Sequence, residues 1–189
     1  NAGYLYDTER EVLEATPFIG QNSGLFIASK RPINCAQFVE FESRRKLTRK
    51  GVLSCNVDGV TIMTTHLDHK AEDMQQDQID TIVREYARQS IAASSNVLLV
   101  GDFNICPTHS PRMYDVLSTK LRGAENLTED LDWTCDLRIA HDPARTSAFL
   151  SDHETASSRP WGATLDHCWL LSRSSENVRV DCTRANMGG

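Results

Sequence analysis

Nowhere in this sequence do apolar residues run to the roughly 20 consecutive positions that a membrane-spanning helix requires. Its apolar segments, Val97-Leu98-Leu99-Val100 among them, are of strand length. The opening residues, NAGYLYDTEREVLE, are polar and acidic and lack the pattern of a secretory signal. Cationic excess is missing too: 20 Lys and Arg stand against 26 Asp and Glu, a net charge of −6. That balance argues against a generally basic nucleic-acid binder, yet leaves room for a local phosphate-binding cleft. The six cysteines, Cys35, Cys55, Cys106, Cys135, Cys168 and Cys182, are scattered singly with no CxxC pair, which speaks against a zinc site. Several lie in apolar, strand-like runs, where cysteine behaves as a small buried hydrophobe. Internal repeats and low-complexity tracts are absent. What remains, 189 residues with 40% hydrophobic content, is about one domain's worth of sequence and can bury a core.

The most informative stretch is NVLLVGDFNIC, residues 96–106. Val97 to Val100 show no alternation, which predicts a central strand covered on both faces. Gly101 permits a turn or a close backbone approach, and Asp102 and Asn104 then stand at the strand end, where α/β sheets commonly place chemistry. The same letters also suit a plain Asp/Asn turn.

Along the chain, residues 4–14 read as helix or loop. Residues 25–29 form an apolar run ended by Lys30-Arg31-Pro32, a strand with a turn behind it, and residues 36–41 predict another strand despite imperfect alternation. Residues 43–50, SRRKLTRK, make a loop with five cationic side chains, either a solvated turn or an attractor of an anionic surface or phosphate. Two strands follow at 52–57 and 60–66, joined by Asp58-Gly59, a strong hairpin signal. The second ends at His66. Ile79, Ile82, Val83, Tyr86, Ala87 and Ile91 recur at helical spacing, predicting an amphipathic helix over about 74–93. The strand, helix, strand order indicates an α/β layering. Ser110-Pro111 opens a second helix to about Lys120, with Ser110 as its cap. Residues 122–163 suggest long surface loops around a short helix near 131–137. Strands are expected again at 164–172, with Asp166 near the start, and at 178–182; residues 186–189 look like a severed loop. Asn126-Leu127-Thr128 fits a glycosylation acceptor pattern, which has meaning only in a secreted eukaryotic protein.

Taken singly, His66 and Asp166 suit ordinary structural roles as well as catalytic ones; their joint occurrence with GDFN favours chemistry. SGLFIASKRPI (23–33), KGVL (50–53), TTHLDH (64–69), VLLVGDFN (97–104) and TLDHCWLLS (164–172) stand in an order that resembles the endonuclease/exonuclease/phosphatase superfamily, the DNase I-like fold. Within it, the SGL segment followed by a phenylalanine-containing strand and KGVL looks most like neutral sphingomyelinases. The resemblance implies a four-layered α/β/β/α sandwich with two mixed sheets, here a single partial domain over 1–189 truncated at both ends. It also implies Mg²⁺-assisted (or Mn²⁺-assisted) hydrolysis of a phosphoester by water, with Asp102 and Asn104 at the metal. Asp102 would orient or deprotonate the water, Asn104 would donate a hydrogen bond to a phosphate oxygen, and His66 would stabilise the transition state or protonate the leaving oxygen. Asp166 matches a carboxylate that orients a catalytic histidine near the C-terminus.

The chemistry needs these groups independently: an anionic phosphodiester demands charge offset, a base for water and help for the leaving group. A hard cation prefers the carboxylate oxygens and water that an Asp-rich, thiol-poor site offers. Two departures stand out. The family's metal-binding Glu lies on an early strand before the SGL segment, and nothing before Asn22 has that setting; Glu9, Glu11 and Glu14 lie in a polar, helix-like stretch. The family's Ser-Asp-His motif follows the LDH strand, whereas Ser151-Asp152-His153 precedes it. The substrate is a phospholipid, implying peripheral membrane contact and exposed apolar residues beside the cleft, or a nucleic acid, implying cations spaced along a phosphate backbone; a third reading is a non-catalytic domain that kept the fold.

Overall fold

The computed structural model describes residues 5–8, 23–42, 49–69, 71–93, 96–129, 135–136, 162–163 and 165–171. Among these, ten strands and two helices follow in the order β1 (Tyr6–Asp7), β2 (Ala28–Ser29), β3 (Ile33–Glu40), β4 (Gly51–Val57), β5 (Val60–His66), α1 (Glu72–Ala93), β6 (Val97–Asp102), α2 (Pro111–Lys120), β7 (Glu125–Asn126), β8 (Cys135–Asp136), β9 (Gly162–Ala163) and β10 (Asp166–Leu171). Six strands make one mixed sheet in the order β3-β4-β5-β6-β10-β7. All its neighbours are antiparallel except β5 and β6, which run parallel because α1 carries the chain back between them. Two-stranded antiparallel ribbons pair β1 with β2 and β8 with β9.

The hairpin at Asp58-Gly59 forms as its sequence demands. Both residues have positive φ, 49° and 83°, the primed-turn geometry that follows the twist of β4 and β5. Asn56 Oδ1 accepts from the Gly59 N–H at 3.2 Å and closes the turn.

Alternation along the strands divides the apolar side chains between two cores. Val52, Met63, Val97 and Leu99 face Ile79, Ile82 and Tyr86 of α1 and Met113 and Leu117 of α2. Leu53 and Cys55 point the other way and pack with Ile27 beside the β1–β2 ribbon. The sheet is thus covered by helices on one face and by a second, short sheet on the other. Full burial of an aliphatic side chain contributes about 1.5–3 kcal/mol, and residues 51–55 are buried along their whole length, which fixes β4 as the strand both cores share. Val97 and Leu99 are likewise buried, but Leu98 and Val100 are half-buried, so the central strand is less evenly covered than its unbroken apolar run predicts.

Several expectations are corrected. Of residues 4–14, where a helix or loop was expected, 5–8 are described and include the short strand β1, so a strand does precede the SGL segment; residues 4 and 9–14, with Glu9, Glu11 and Glu14, lie outside the described residues. Cys135–Asp136 is a strand where a short helix was expected, because it pairs with β9. Ser110 precedes α2 without capping it through its side chain: its hydroxyl turns back to the backbone of Cys106, accepting from the N–H at 2.8 Å and donating to the carbonyl at 3.1 Å. Cys55, Cys106 and Cys168 are buried as expected, whereas Cys35 is exposed at a register shift of β3 with φ 52°. Asn126 is committed on both sides of its amide, donating to Tyr114 Oη at 3.0 Å and accepting from Thr128, which ties up the acceptor pattern. No helix among the described residues is long and apolar enough to cross a membrane. Ser151-Asp152-His153, residues 178–182 and 186–189, and residues 43–48 of the basic loop lie outside the described residues.

Candidate active site

Strand register brings three of the four predicted residues side by side. Asp102 is paired with His66 across the parallel β5–β6 ladder and with Asp166 across the antiparallel β6–β10 ladder. Paired residues on adjacent strands stand about 5 Å apart at the backbone, so the strand ends form a row His66, Asp102, Asp166. The Asp102 carbonyl accepts from the Leu67 N–H at 2.9 Å, and the Leu165 carbonyl accepts from the Phe103 N–H at 2.9 Å, tying all three strand ends together.

Gly101 makes this convergence possible. Its φ is +153°, and a Cβ there would overlap the Thr65 carbonyl oxygen of β5, with the Thr65 nitrogen at 3.0 Å. Only glycine meets both demands. Phe103 then turns fully inward, edge-on to the His167 ring with centroids 5.7 Å apart, and anchors the motif in the core. Asn104 adopts a left-handed φ of 50°, and its N–H donates to Asp102 Oδ1 at 2.8 Å. The motif is therefore an Asx turn as well as a candidate site, so both readings of these letters hold at once.

Asn104 joins the row through its side chain, whose Nδ2 donates to the Leu67 carbonyl at 2.9 Å. One of its two amide protons is thereby committed, leaving the second proton and Oδ1 for a ligand. His66 Nε2 lies 3.7 Å from Asp102 Oδ2. Burial pushes the Asp102 carboxyl above the usual carboxylate range, opposed by the Asn104 N–H, with His66 and Lys50 also favouring the ion and Asp166 disfavouring it. Burial, reinforced by the charge of Lys50, holds His66 below its ordinary value against the pull of Asp102, Asp166 and Asp68. The site thus favours a neutral imidazole beside a carboxylate whose charge is disfavoured by burial and partly restored by its neighbours.

Sequence reading missed the groups that hold this row in place. Lys50, read as one cation of a basic loop, is half-buried with its Nζ donating to the Leu67 carbonyl at 2.6 Å, and Asp68 and Asp102 act electrostatically on it. Gln75 and Gln78, on the buried stripe of α1 with Ile79 and Ile82, bind the two loops. Gln75 Nε2 donates to the Asp68 carbonyl at 2.8 Å and the Asn104 carbonyl at 3.3 Å, and Gln78 Oε1 accepts from the Asp68 N–H at 2.8 Å. Glutamines at the core-facing positions of an otherwise amphipathic helix were the available signal, since buried amides are kept where they meet backbone groups. His167, beside Asp166, is buried and neutral-favouring; its Nε2 meets the Ile105 carbonyl at 2.7 Å.

The donors present suit a hard divalent cation. Asp102 and Asp166 offer carboxylate oxygens on adjoining strand ends and Asn104 a carboxamide oxygen; among the described residues no group of three or more His, Cys, Asp or Glu is placed to hold a metal ion by itself. Mg²⁺ is commonly held by one or two carboxylates and several waters, so an open, oxygen-only set of this kind fits it.

Among solved structures, a β-hairpin deletion mutant of beta toxin from Staphylococcus aureus is similar at 17% identity and TM-score 0.64, with 94% of this chain and 68% of that chain covered. A doubly substituted form of the same toxin, with bound magnesium ions, is similar at 17% identity and TM-score 0.62, covering 92% and 64%. Sphingomyelinase C from Streptomyces griseocarneus is similar at 19% identity and TM-score 0.58, covering 82% and 55%. The chain thus spans between about half and two thirds of the length of these proteins, with which it shares the DNase I-like α/β fold. No curated protein sequence matches it. The sequence pattern of the Endonuclease/Exonuclease/phosphatase family matches residues 3–178, and with the fold and the row of strand-end residues in place, the chain belongs to that family.

Proposed function

We propose that this protein is a divalent-metal-assisted phosphodiesterase that hydrolyses a phospholipid in the manner of the sphingomyelinases it resembles. The observation that carries the reading is the row His66, Asp102, Asp166 on three adjoining strand ends, with Asn104 turned beside it. Asp102, ionised, orients or deprotonates the attacking water; the Asn104 N–H and the side chains of His66 and Lys50 keep that carboxylate available. Asn104 presents its remaining amide proton or its oxygen to the phosphate side. His66, neutral in the resting site, donates through an imidazole N–H to the developing charge on the phosphate or leaving oxygen. Asp166 extends the acidic edge. Asp102 and Asn104 would hold Mg²⁺ or Mn²⁺, which when bound offsets charge on the phosphate oxygens.

Charge distribution favours lipid over nucleic acid. Among the described residues, Arg31, Arg49, Arg88, Arg112 and Lys120 are each paired with a carboxylate, which leaves fewer cations there to track a phosphate backbone. Leu5, Tyr6 and Phe26, on and beside the β1–β2 ribbon, are exposed apolar side chains of the kind a lipid surface accepts. The test is hydrolysis of sphingomyelin and of plasmid DNA side by side in Mg²⁺, with Asp102→Ala as control. Choline phosphate release that the substitution abolishes is the expected result. DNA nicking abolished by it would replace the lipid reading with a nuclease; inertness toward both would leave a fold without this activity.

A further inference from the structure

Lys50 immediately precedes β4, and its side chain is half-buried. It runs 17 residues forward in sequence to the Leu67 carbonyl, at the mouth of the candidate site. That carbonyl is shared: Lys50 Nζ donates to it at 2.6 Å and Asn104 Nδ2 at 2.9 Å. A carbonyl oxygen with two lone pairs serves both, and the shared acceptor fixes the sense of the Asn104 amide, because its oxygen cannot face another oxygen. The backbone of the same corner is held from below, where Gln75 and Gln78 bind the Asp68 and Asn104 backbone. Asn104 itself is in a left-handed backbone conformation, and its side chain is held by the bond to the Leu67 carbonyl.

We propose that Lys50 is a positioning residue for the candidate site: through the Leu67 carbonyl it fixes the Asn104 carboxamide, and its ammonium offsets the carboxylates of Asp68 and Asp102 beside it. The inference rests on the phosphodiesterase reading for its catalytic consequence but not for the hydrogen-bonding arrangement. Arg49, the adjacent cation, cannot substitute, because its guanidinium is engaged by Glu40 on the neighbouring strand. A methionine at position 50 keeps the length and apolar stem of the side chain while removing the charge and the donor; arginine keeps both.

The experiment compares wild type, K50M, K50R, N104A and K50M/N104A by two readouts. The first is Mg²⁺-dependent hydrolysis of bis(p-nitrophenyl) phosphate, resolved into kcat and KM. The second is the side-chain amide resonance of Asn104 in ¹⁵N-labelled protein without metal, assigned by its absence from N104A. Outer-shell partners of catalytic groups commonly contribute about 10–100-fold. K50M is expected to lower kcat by about that factor with KM within roughly twofold, K50R to recover most of it, and K50M to add less than about threefold in the N104A background. The Asn104 amide resonance is expected to move in K50M and to stay near its wild-type position in K50R. Additive losses in the double variant, or an amide resonance unmoved by K50M, would overturn the proposal. Should K50M fail to fold, a displaced resonance in folded K50R would overturn it equally. A wild-type protein inactive toward the probe, with the resonance displaced in K50M, supports the positioning role and counts against the phosphodiesterase reading alone.

Discussion

Replacing Gly101 by alanine strikes the point where the fold and the candidate site depend on the same atom. The new Cβ would overlap the Thr65 carbonyl oxygen, which belongs to the backbone of the adjoining strand and cannot swing away as a side chain would. Relief requires β6 to draw back from β5 at the level of Asp102, where the Leu67 N–H meets the Asp102 carbonyl at 2.9 Å. The φ of +153° adds about 1–3 kcal/mol of backbone strain for a residue with a side chain. Each ladder hydrogen bond weakened adds about 1 kcal/mol. The sum is roughly 3–5 kcal/mol, a large share of a typical domain's stability. At about 2–4 °C per kcal/mol for a chain of this size, Tm should fall by roughly 6–20 °C. Gly59→Ala is the control, since it shares positive φ at 83° but meets nothing within 4 Å. Its cost is backbone strain alone, about 1–2 kcal/mol. Folded Gly101→Ala should also lose about 100-fold in hydrolysis, because a shift near 1 Å displaces the carboxylate from its partners. Calorimetric melting of both variants, with urea denaturation for the free energies, measures the difference. Equal melting of the two would refute the claim that close approach of β6 to β5 requires glycine here.

Gln78→Ala leaves the Asp68 N–H without its side-chain acceptor and should cost about 1–3 kcal/mol in urea denaturation, with hydrolysis falling alongside because the Leu67-Asp68 corner loosens. His66→Ala should lower kcat by about 10²–10⁴-fold with Tm little changed, since the side chain is 45% exposed; steady-state kinetics beside a melt decide it. In metal-free buffer, stability should decline as pH falls below the ordinary histidine value of 6.5. The folded values of His66 and His167 are both lowered, so the unfolded chain takes up protons first, and the stability present above 6.5 is lost toward the lower folded values. His167→Gln should flatten that decline, and a Tm profile parallel to wild type from about pH 5 to 7.5 would contradict the assignment to His167.

The parts of the fold legible in the sequence are those governed by local pattern. The Asp58-Gly59 hairpin follows from turn stereochemistry, and α1 from the spacing of Ile79, Ile82 and Tyr86; both formed where expected. The alignment of His66 with Asp102 and Asp166 is a matter of register between neighbouring strands that lie far apart in the sequence, which no periodicity specifies. Only the ordered set of motifs pointed to it. Lys50 shows the opposite failure: its letters belong to a basic run, and its role arises from a carbonyl brought near by β4–β5 pairing. Ser110 fits a helix cap by every local rule, yet its hydroxyl serves the Cys106 backbone in the preceding turn. Cys135–Asp136 became a strand because a partner arrived from residues 162–163, a distant contact invisible in a window of seven residues.

The most direct test of the central claim is one substitution measured two ways on the same preparation, Asp102→Asn at pH 7. Asparagine keeps the shape and can still accept from the Asn104 N–H, but it cannot ionise. Burial raises the Asp102 carboxyl above its unfolded value, so the fold favours its protonated form and the penalty for ionising it is fully present above the folded value. Asp102→Asn should therefore melt, without metal, at or above the wild-type temperature while losing at least about 1000-fold in Mg²⁺-dependent phosphodiester hydrolysis, the pattern of a site that trades stability for activity. A variant that keeps the wild-type rate would contradict the assignment of Asp102 as the group acting on water, and one that loses both rate and stability would make it a structural carboxylate.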